Sequence, residues 1–163
     1  MRSSLSKPLR ETFEKSLKER LKSAKRVSLK SAPSGSLAWL IDENEKAAAY
    51  VVLVISPRSD RFTLELAWSS HKRIPDQAEK LPGEEGDSGE LRFRLSRLWR
   101  PNGFEVWYDL EYEEDYPDLK DFNAFPADEN LCQQRIPVKV SRALDALERH
   151  GIPYLKRSIS LPA

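Results

Sequence analysis

Two adjoining segments near the middle of the chain constrain its fold more than any other feature. Residues 47–55 are all apolar and form the longest such run in the sequence. A run of this length is typical of a central strand that is covered on both faces, and it is too short to cross a bilayer. After turn residues at 56–60, apolar and polar side chains alternate from Arg61 to Trp68, which predicts a half-buried strand. Together the segments predict the centre of an antiparallel sheet.

Helical periodicity is found towards both ends of the chain. Near the N-terminus an apolar residue recurs at every fourth position, and this stripe predicts a helix from Ser6 to Lys25. The stripe is formed by Leu5, Leu9, Phe13, Leu17 and Leu21. A second helix is predicted to begin at Pro137 and to end at Gly151, because proline is favoured in a first turn and glycine just after a last one. A short closing helix follows it.

A β-hairpin is predicted between these regions. Its strands would be 91–99 and 104–112, joined by a turn whose proline and glycine suit type I geometry. In the expected register one face is apolar, and on the other face Arg94 lies opposite Asp109 and Arg92 lies opposite Glu111.

These elements predict an α+β fold. We expect a single antiparallel sheet of about five strands, with the N-terminal and C-terminal helices packed on one face. The chain has 163 residues, which suits one domain spanning 1–163, because independent domains usually contain about 100–150 residues. No internal repeat and no linker divides the sequence.

Charge is balanced in total but not in position. The net charge is +1, yet residues 1–30 hold ten Lys and Arg against three acids, and residues 105–129 hold one Lys against ten acids. A neutral total argues against a dedicated nucleic-acid-binding protein, because such domains are usually strongly basic. The asymmetry has two explanations that the sequence leaves open: the basic and acidic regions neutralise each other, or one of them binds a partner.

The sequence offers little for catalysis. One Cys and two His exclude a disulfide framework and a cysteine-built zinc site, and no phosphate-binding loop or nucleophile elbow is present. We therefore expect no catalytic residue, no metal ligand and no cofactor. Residues 1–9 contain no hydrophobic signal core, so we expect a cytoplasmic protein that does not contact membranes.

The acidic, aromatic segment that follows Asp109 is the candidate functional site. Its charge would steer a basic partner and raise the association rate, and its aromatic residues could anchor an interface. A solvated loop would have the same composition. The predicted partner-binding residues are Asp109, Tyr112, Glu113, Glu114, Asp115, Tyr116, Asp118 and Asp121.

The order of elements resembles that of small bacterial α+β proteins, among them immunity proteins encoded beside polymorphic toxins. The resemblance is carried by the opening helix, the strand pair 50–55 and 61–68, and the closing segment 144–155. It implies a non-enzymatic protein that binds a cognate bacterial toxin and occludes its active site. In this interpretation the acidic segment imitates the negative group that a basic toxin active site expects.

Two alternatives remain at the level of sequence. Clustered carboxylates could serve a small enzyme, with or without a metal, if they converged in a cleft. The basic N-terminal helix, together with Arg92, Arg94, Arg97 and Arg100, could instead bind nucleic acid. We rank the second alternative lower, because neighbouring acids would neutralise those arginines.

Overall fold

A computed structural model describes residues 1–30, 32–76, 89–118 and 124–160. Within them an antiparallel sheet is combined with helices from both ends of the chain, which confirms the predicted α+β class. In chain order the helices and strands are α1 (Ser3–Arg20), β1 (Lys25–Val27), β2 (Leu37–Glu43), β3 (Ala48–Ile55), β4 (Arg61–Ser69), β5 (Glu90–Arg94), β6 (Tyr108–Asp109), α2 (Glu129–Ala146) and α3 (Ile152–Ser160).

The sheet is a meander built around the two segments that dominate the sequence. Its strand order is β1-β2-β3-β4-β5, and β6 pairs with the beginning of β4. In the central pair Val51 lies opposite Leu66 and Leu53 lies opposite Leu64. All eight residues of β3 are buried, as expected for a strand that is apolar on both faces.

The helices cover one face of this sheet. The α1 stripe is fully buried at Leu5, Leu9, Phe13 and Leu17, and Phe13 packs against Trp39 with ring centroids 5.2 Å apart. Helix α1 ends at Arg20, not at the predicted Lys25, because Lys25 instead begins β1 and pairs with Leu40. Each fully buried apolar side chain contributes roughly 1.5–3 kcal/mol, so this interface is a major part of the core.

The C-terminal helices differ from the prediction at both ends. Helix α2 begins at Glu129, because the Asp128 side chain caps it by accepting a hydrogen bond of 2.8 Å from the Leu131 N–H. Pro137 consequently lies inside the helix, on its exposed side. Gly151 does not end the helix either, since a π-helical turn over Leu147–Gly151 leads directly into α3.

The predicted hairpin is wrong. β5 pairs with β4 instead, so that Arg94 lies opposite Glu65, and a 3₁₀ turn at Leu95–Leu98 then leads away from the sheet. Asp109 of β6 lies opposite Arg61 at the other end of β4. In both predicted strands, apolar and polar residues alternate, so this pattern is as compatible with pairing to β4 as with pairing to each other. The pairing of β5 with β4 is favoured by Glu65, whose carboxylate contacts both Arg92 and Arg94 of β5.

The second face of the sheet is also largely buried, although the described helices pack on the first. It contains small apolar clusters around Val52 and Tyr50, together with the charged residues Glu65 and Arg92. No helix within the described ranges is long and apolar enough to cross a membrane.

Candidate partner-binding surface

Stacked arginines and aromatic rings hold the segment after β5 against the second face of the sheet. The Arg61 guanidinium contacts the rings of Tyr116 and Trp107, 4.9 and 5.1 Å from their centroids. Trp107 also contacts the Arg94 guanidinium, at 5.0 Å. Cation–π contacts of this kind contribute about 0.5–2 kcal/mol each. These contacts, here called the ladder, therefore anchor both ends of residues 107–116 on β4 and β5.

The ladder ends in a buried ionic cluster. Arg92 Nε donates to Glu65 Oε2 at 2.7 Å, and the two side chains are only 2% and 4% exposed. Arg94 Nη1 lies 2.8 Å from Glu65 Oε1, close enough for an ion pair although poorly aligned for a hydrogen bond. Arg94 Nε also lies 3.3 Å from Glu105, at the start of the anchored segment. Glu65 is therefore the partner that both arginines share, although Arg92 also donates to the Pro75 carbonyl at 3.3 Å. Removing its charge would weaken the compensation of two cations at once.

Backbone hydrogen bonds close the acidic part of this segment into a loop. Trp107 and Tyr116 exchange two N–H···O=C bonds, both 2.9 Å long, and enclose residues 108–115, here called the acidic loop. Inside it, Asp109 Oδ1 accepts a hydrogen bond of 2.9 Å from the Glu111 N–H. The Asp109 N–H in turn donates to Asp115 Oδ1 at 3.2 Å. Two of the carboxylates thus shape the loop.

A basic stripe on α2 holds the acidic loop from the other side. Lys139 Nζ donates to Asp115 Oδ1 at 2.6 Å and to the Glu113 carbonyl at 2.7 Å. Arg142 lies 3.4 Å from the other Asp115 oxygen, and Arg135 donates to the Leu110 carbonyl at 3.1 Å. Spacings of four and three residues place these three cations on one helix face. The loop therefore has a fixed position relative to α2.

Burial perturbs the ionisable groups of this region. Burial raises the pKa of Asp109, although the N–H groups of Glu111 and Tyr112 and the Lys139 charge oppose the change. Burial lowers the pKa of Lys139, and its bond to Asp115 opposes that shift. The pKa of Glu111 is raised by burial first and by Asp60 and Asp109 next. These shifts follow from desolvation of charges that shape the loop.

The structure separates the predicted partner-binding residues into two groups. In the first group the side chains are engaged within the molecule: Asp109 is buried, Asp115 binds Lys139, Tyr116 contacts Arg61, and Asp118 binds Arg100 at 2.7 Å. The second group lies at the tip of the acidic loop, where Glu113 and Glu114 are exposed and Tyr112 is partly buried. Among the described residues, neither Glu113 nor Glu114 has a side-chain ion pair. Asp121 lies outside the described residues.

Sequence reasoning missed three exposed apolar side chains on α2 and in the segment before it. Phe125, Leu131 and Val138, here called the apolar patch, are 94%, 41% and 54% exposed. Leu131 and Val138 are seven residues apart, so they lie on one face of α2, adjacent to the stripe that holds the acidic loop. Phe125 precedes Ala127, whose N–H donates to the Glu111 carbonyl at 2.9 Å. The seven-residue spacing of Leu131 and Val138 could have indicated this exposed face from the sequence, because the buried residues of α2 lie at other positions.

The arginines considered for nucleic-acid binding are all engaged within the fold. Arg92 and Arg94 bind Glu65, and Arg100 binds Asp118. Arg97 donates to the carbonyls of residues 101 and 103, at 3.1 and 2.8 Å. The exposed cations of α1 include Lys7 and Lys18, which pair with acids one turn away. These contacts leave less free positive charge than the sequence indicates.

Among the described residues, no group of three or more His, Cys, Asp and Glu is placed to hold a metal ion. Cys132 is buried, and burial raises the pKa of its thiol.

No family model matches the chain, and neither a curated protein nor a solved structure shows a significant similarity to it.

Proposed function

We propose that this protein is a non-enzymatic binding module of the immunity type, which binds a bacterial toxin and blocks a basic active site. The observation that best supports the proposal is that the exposed residues Glu113 and Glu114 lie on a loop bound to α2, the helix that also exposes Leu131 and Val138. An apolar centre with a charged margin is the usual composition of a protein interface.

The fixed geometry of the acidic loop supports the same function. The loop is held by the Trp107–Tyr116 bridge and by Lys139, so it would lose little conformational freedom when a partner binds. Because association otherwise includes the cost of ordering loops and side chains, a loop that is already ordered favours tight binding.

Charge and apolar area would have different roles in this interface. Asp115 and Asp118 are compensated internally, so the charge available to a partner is concentrated at Glu113 and Glu114. Exposed charges mainly increase the association rate, whereas buried side chains at the centre of an interface determine most of the affinity. We therefore assign steering to the two glutamates and anchoring to the apolar patch.

The test begins with the reading frame beside this gene, where the absence of a toxin-like domain would count against the immunity function. If such a domain is encoded there, binding is measured by surface plasmon resonance and inhibition is measured on the activity of that domain. Glu113→Lys combined with Glu114→Lys should lower the association rate constant at low salt by about tenfold or more. Glu45→Lys is the control for charge reversal elsewhere, because Glu45 is an exposed glutamate in the turn between β2 and β3; it changes the net charge by half as much as the double variant.

Anchoring is tested separately with Leu131→Ser combined with Val138→Ser. This variant should bind at a similar rate but dissociate faster, because the change removes apolar contact and leaves the charge unaltered. Failure of the unmodified protein to bind the neighbouring toxin would refute the immunity function. Binding that both surface variants preserve at the level of Glu45→Lys would refute the assigned surface.

A further inference from the structure

The second face of the sheet contains a cavity that the proposed toxin-binding surface does not use. Its volume is about 420 Å³, within the range of about 300–1,000 Å³ that is usual for small-molecule sites. The segment after β1, strand β3 and the segment after β4 each contribute to its walls. The lining residues are Val27, Ser28, Leu29, Lys30, Tyr50, Lys72, Arg73, Ile74 and Asp76.

Small residues around Tyr50 explain why space remains here. Tyr50 lies opposite Ala67 on β4 and opposite Leu40 on β2, and Ala48 precedes it on the same face of β3. Alanine side chains fill little of the volume beside an aromatic ring, so the surface of the sheet is recessed at this point. Val27 and Ile74 pack against the same cluster and form the apolar walls.

Tyr50 lines this cavity between its apolar and its charged residues and brings a hydroxyl group to it. Tyr50 is only 5% exposed, and its hydroxyl has no hydrogen-bond partner among the described residues. Burial raises the pKa of Tyr50, and the nearby Glu43 raises it further. The hydroxyl therefore keeps its proton at neutral pH and can donate a hydrogen bond.

The rim of the cavity carries more positive than negative charge, because Lys30, Lys72 and Arg73 line it together with one acid, Asp76. Arg73 lies 3.3 Å from Glu90, whereas Lys30 and Lys72 form no ion pair with any described residue. Lys72 has a φ of 51°, a left-handed conformation that is uncommon for a residue other than glycine. A hydrogen bond of 3.3 Å from its N–H to the Ser69 carbonyl belongs to the turn that ends β4. The turn therefore sets where the Lys72 side chain leaves the backbone, at the rim of the cavity.

We propose that this cavity binds a small organic monoanion with an apolar body, such as a medium-chain or aromatic carboxylate. The apolar part of the ligand packs against Val27, Leu29 and Ile74, and the carboxylate accepts from the Tyr50 hydroxyl and faces Lys30 and Lys72. Desolvation of an apolar body provides the binding energy, and the polar groups orient it and select for negative charge. The site is independent of the toxin-binding proposal, because it shares no residue with the acidic loop or the apolar patch.

Octanoate is the probe, titrated into the full chain and followed by calorimetry and by amide chemical shifts. Octan-1-ol and acetate are the comparison ligands, since the first lacks the charge and the second lacks the apolar body. We expect octanoate to bind more tightly than both. Equal affinity for octanoate and octan-1-ol, or no detectable binding of octanoate, would overturn the proposal.

Three variants locate the site. Tyr50→Phe keeps the ring and should weaken octanoate binding about tenfold, as expected when a hydrogen bond to a charged group is lost. Lys30→Gln and Lys72→Gln should each weaken it about threefold, because partly solvated charges contribute less. Lys22→Gln is the control, since Lys22 is exposed and does not line this cavity. Octanoate affinities that are unchanged in all three variants relative to Lys22→Gln would place binding elsewhere and refute the site.

Discussion

Glu65→Gln is the substitution that most directly tests how the second face of the sheet is stabilised. The side chain of Glu65 is 4% exposed and contacts Arg92 and Arg94, whose side chains are 2% and 14% exposed. Glutamine has nearly the same shape but carries no charge, so the variant keeps the packing and removes the negative charge that both arginines share. Arg92 keeps its bond to the Pro75 carbonyl, and Arg94 stays close to Glu105. Trp107, which stacks on Arg94, should report the change through its fluorescence.

The expected loss of stability is large. Breaking a buried ion pair by changing one partner costs about 3–5 kcal/mol, whereas an exposed pair contributes about 0–1 kcal/mol. Domains of this size have a total stability of about 5–15 kcal/mol, so Glu65→Gln should remove a substantial fraction of it. At about 2–4 °C per kcal/mol, the midpoint of thermal unfolding should fall by roughly 6–20 °C.

Urea unfolding followed by tryptophan fluorescence and by circular dichroism measures this loss. Glu11→Gln is the control, because Glu11 is 67% exposed and pairs with Lys7 at 3.8 Å, so its stability should change by less than about 0.5 kcal/mol. A loss below about 1 kcal/mol for Glu65→Gln would show that water compensates the two arginines, and the account of a buried cluster would be wrong.

Two further predictions concern other parts of the fold. Gly151→Ala should lower the free energy of unfolding by about 1–3 kcal/mol, because a Cβ there would lie 2.8 Å from Leu147 Cδ1 and 3.1 Å from Leu95 Cδ1. A urea titration measures this change, and an unchanged unfolding midpoint would refute the tight packing. Burial raises the pKa of Asp109 above its ordinary value of 3.8, so the folded protein binds this proton more tightly than the unfolded chain does. The resulting stabilisation is complete at pH values below 3.8 and is lost as the pH rises through the raised pKa. Asp109→Asn keeps an oxygen for the Glu111 N–H and lacks this titration. The stability of the unmodified protein relative to the variant should therefore fall between pH 3 and pH 7, and a difference that is constant or rises with pH would contradict the assigned shift.

Comparison of the two helical regions shows how far local patterns can predict this fold. The α1 stripe was predicted correctly, because Leu5 to Leu17 are buried by one sheet face and the four-residue period records that face directly. The start of α2 was predicted at Pro137, although Asp128 provides the cap nine residues before it. Proline is common in a first turn but is tolerated elsewhere, so its position was the weaker signal.

The candidate surface was predicted only in part, and the reason is electrostatic. Sequence places the carboxylates of the acidic segment together but does not show which cations reach them. Lys139 lies 24 positions from Asp115 in the chain and still binds it, because α2 returns along the loop. As a result the predicted acidic surface is reduced to its tip, and the apolar patch was not anticipated.

The amino-acid sequence by itself determined the elements of this protein that depend on neighbours in the chain: the amphipathic α1, the doubly buried β3 and the alternating β4. Their periodicities follow from backbone geometry, and a few residues are enough to show them. Tertiary structure alone decided that β5 and β6 both pair with β4, and that Glu65 compensates two arginines. Strand partners and ion pairs are contacts between distant positions, and equivalent local patterns cannot distinguish one such partner from another.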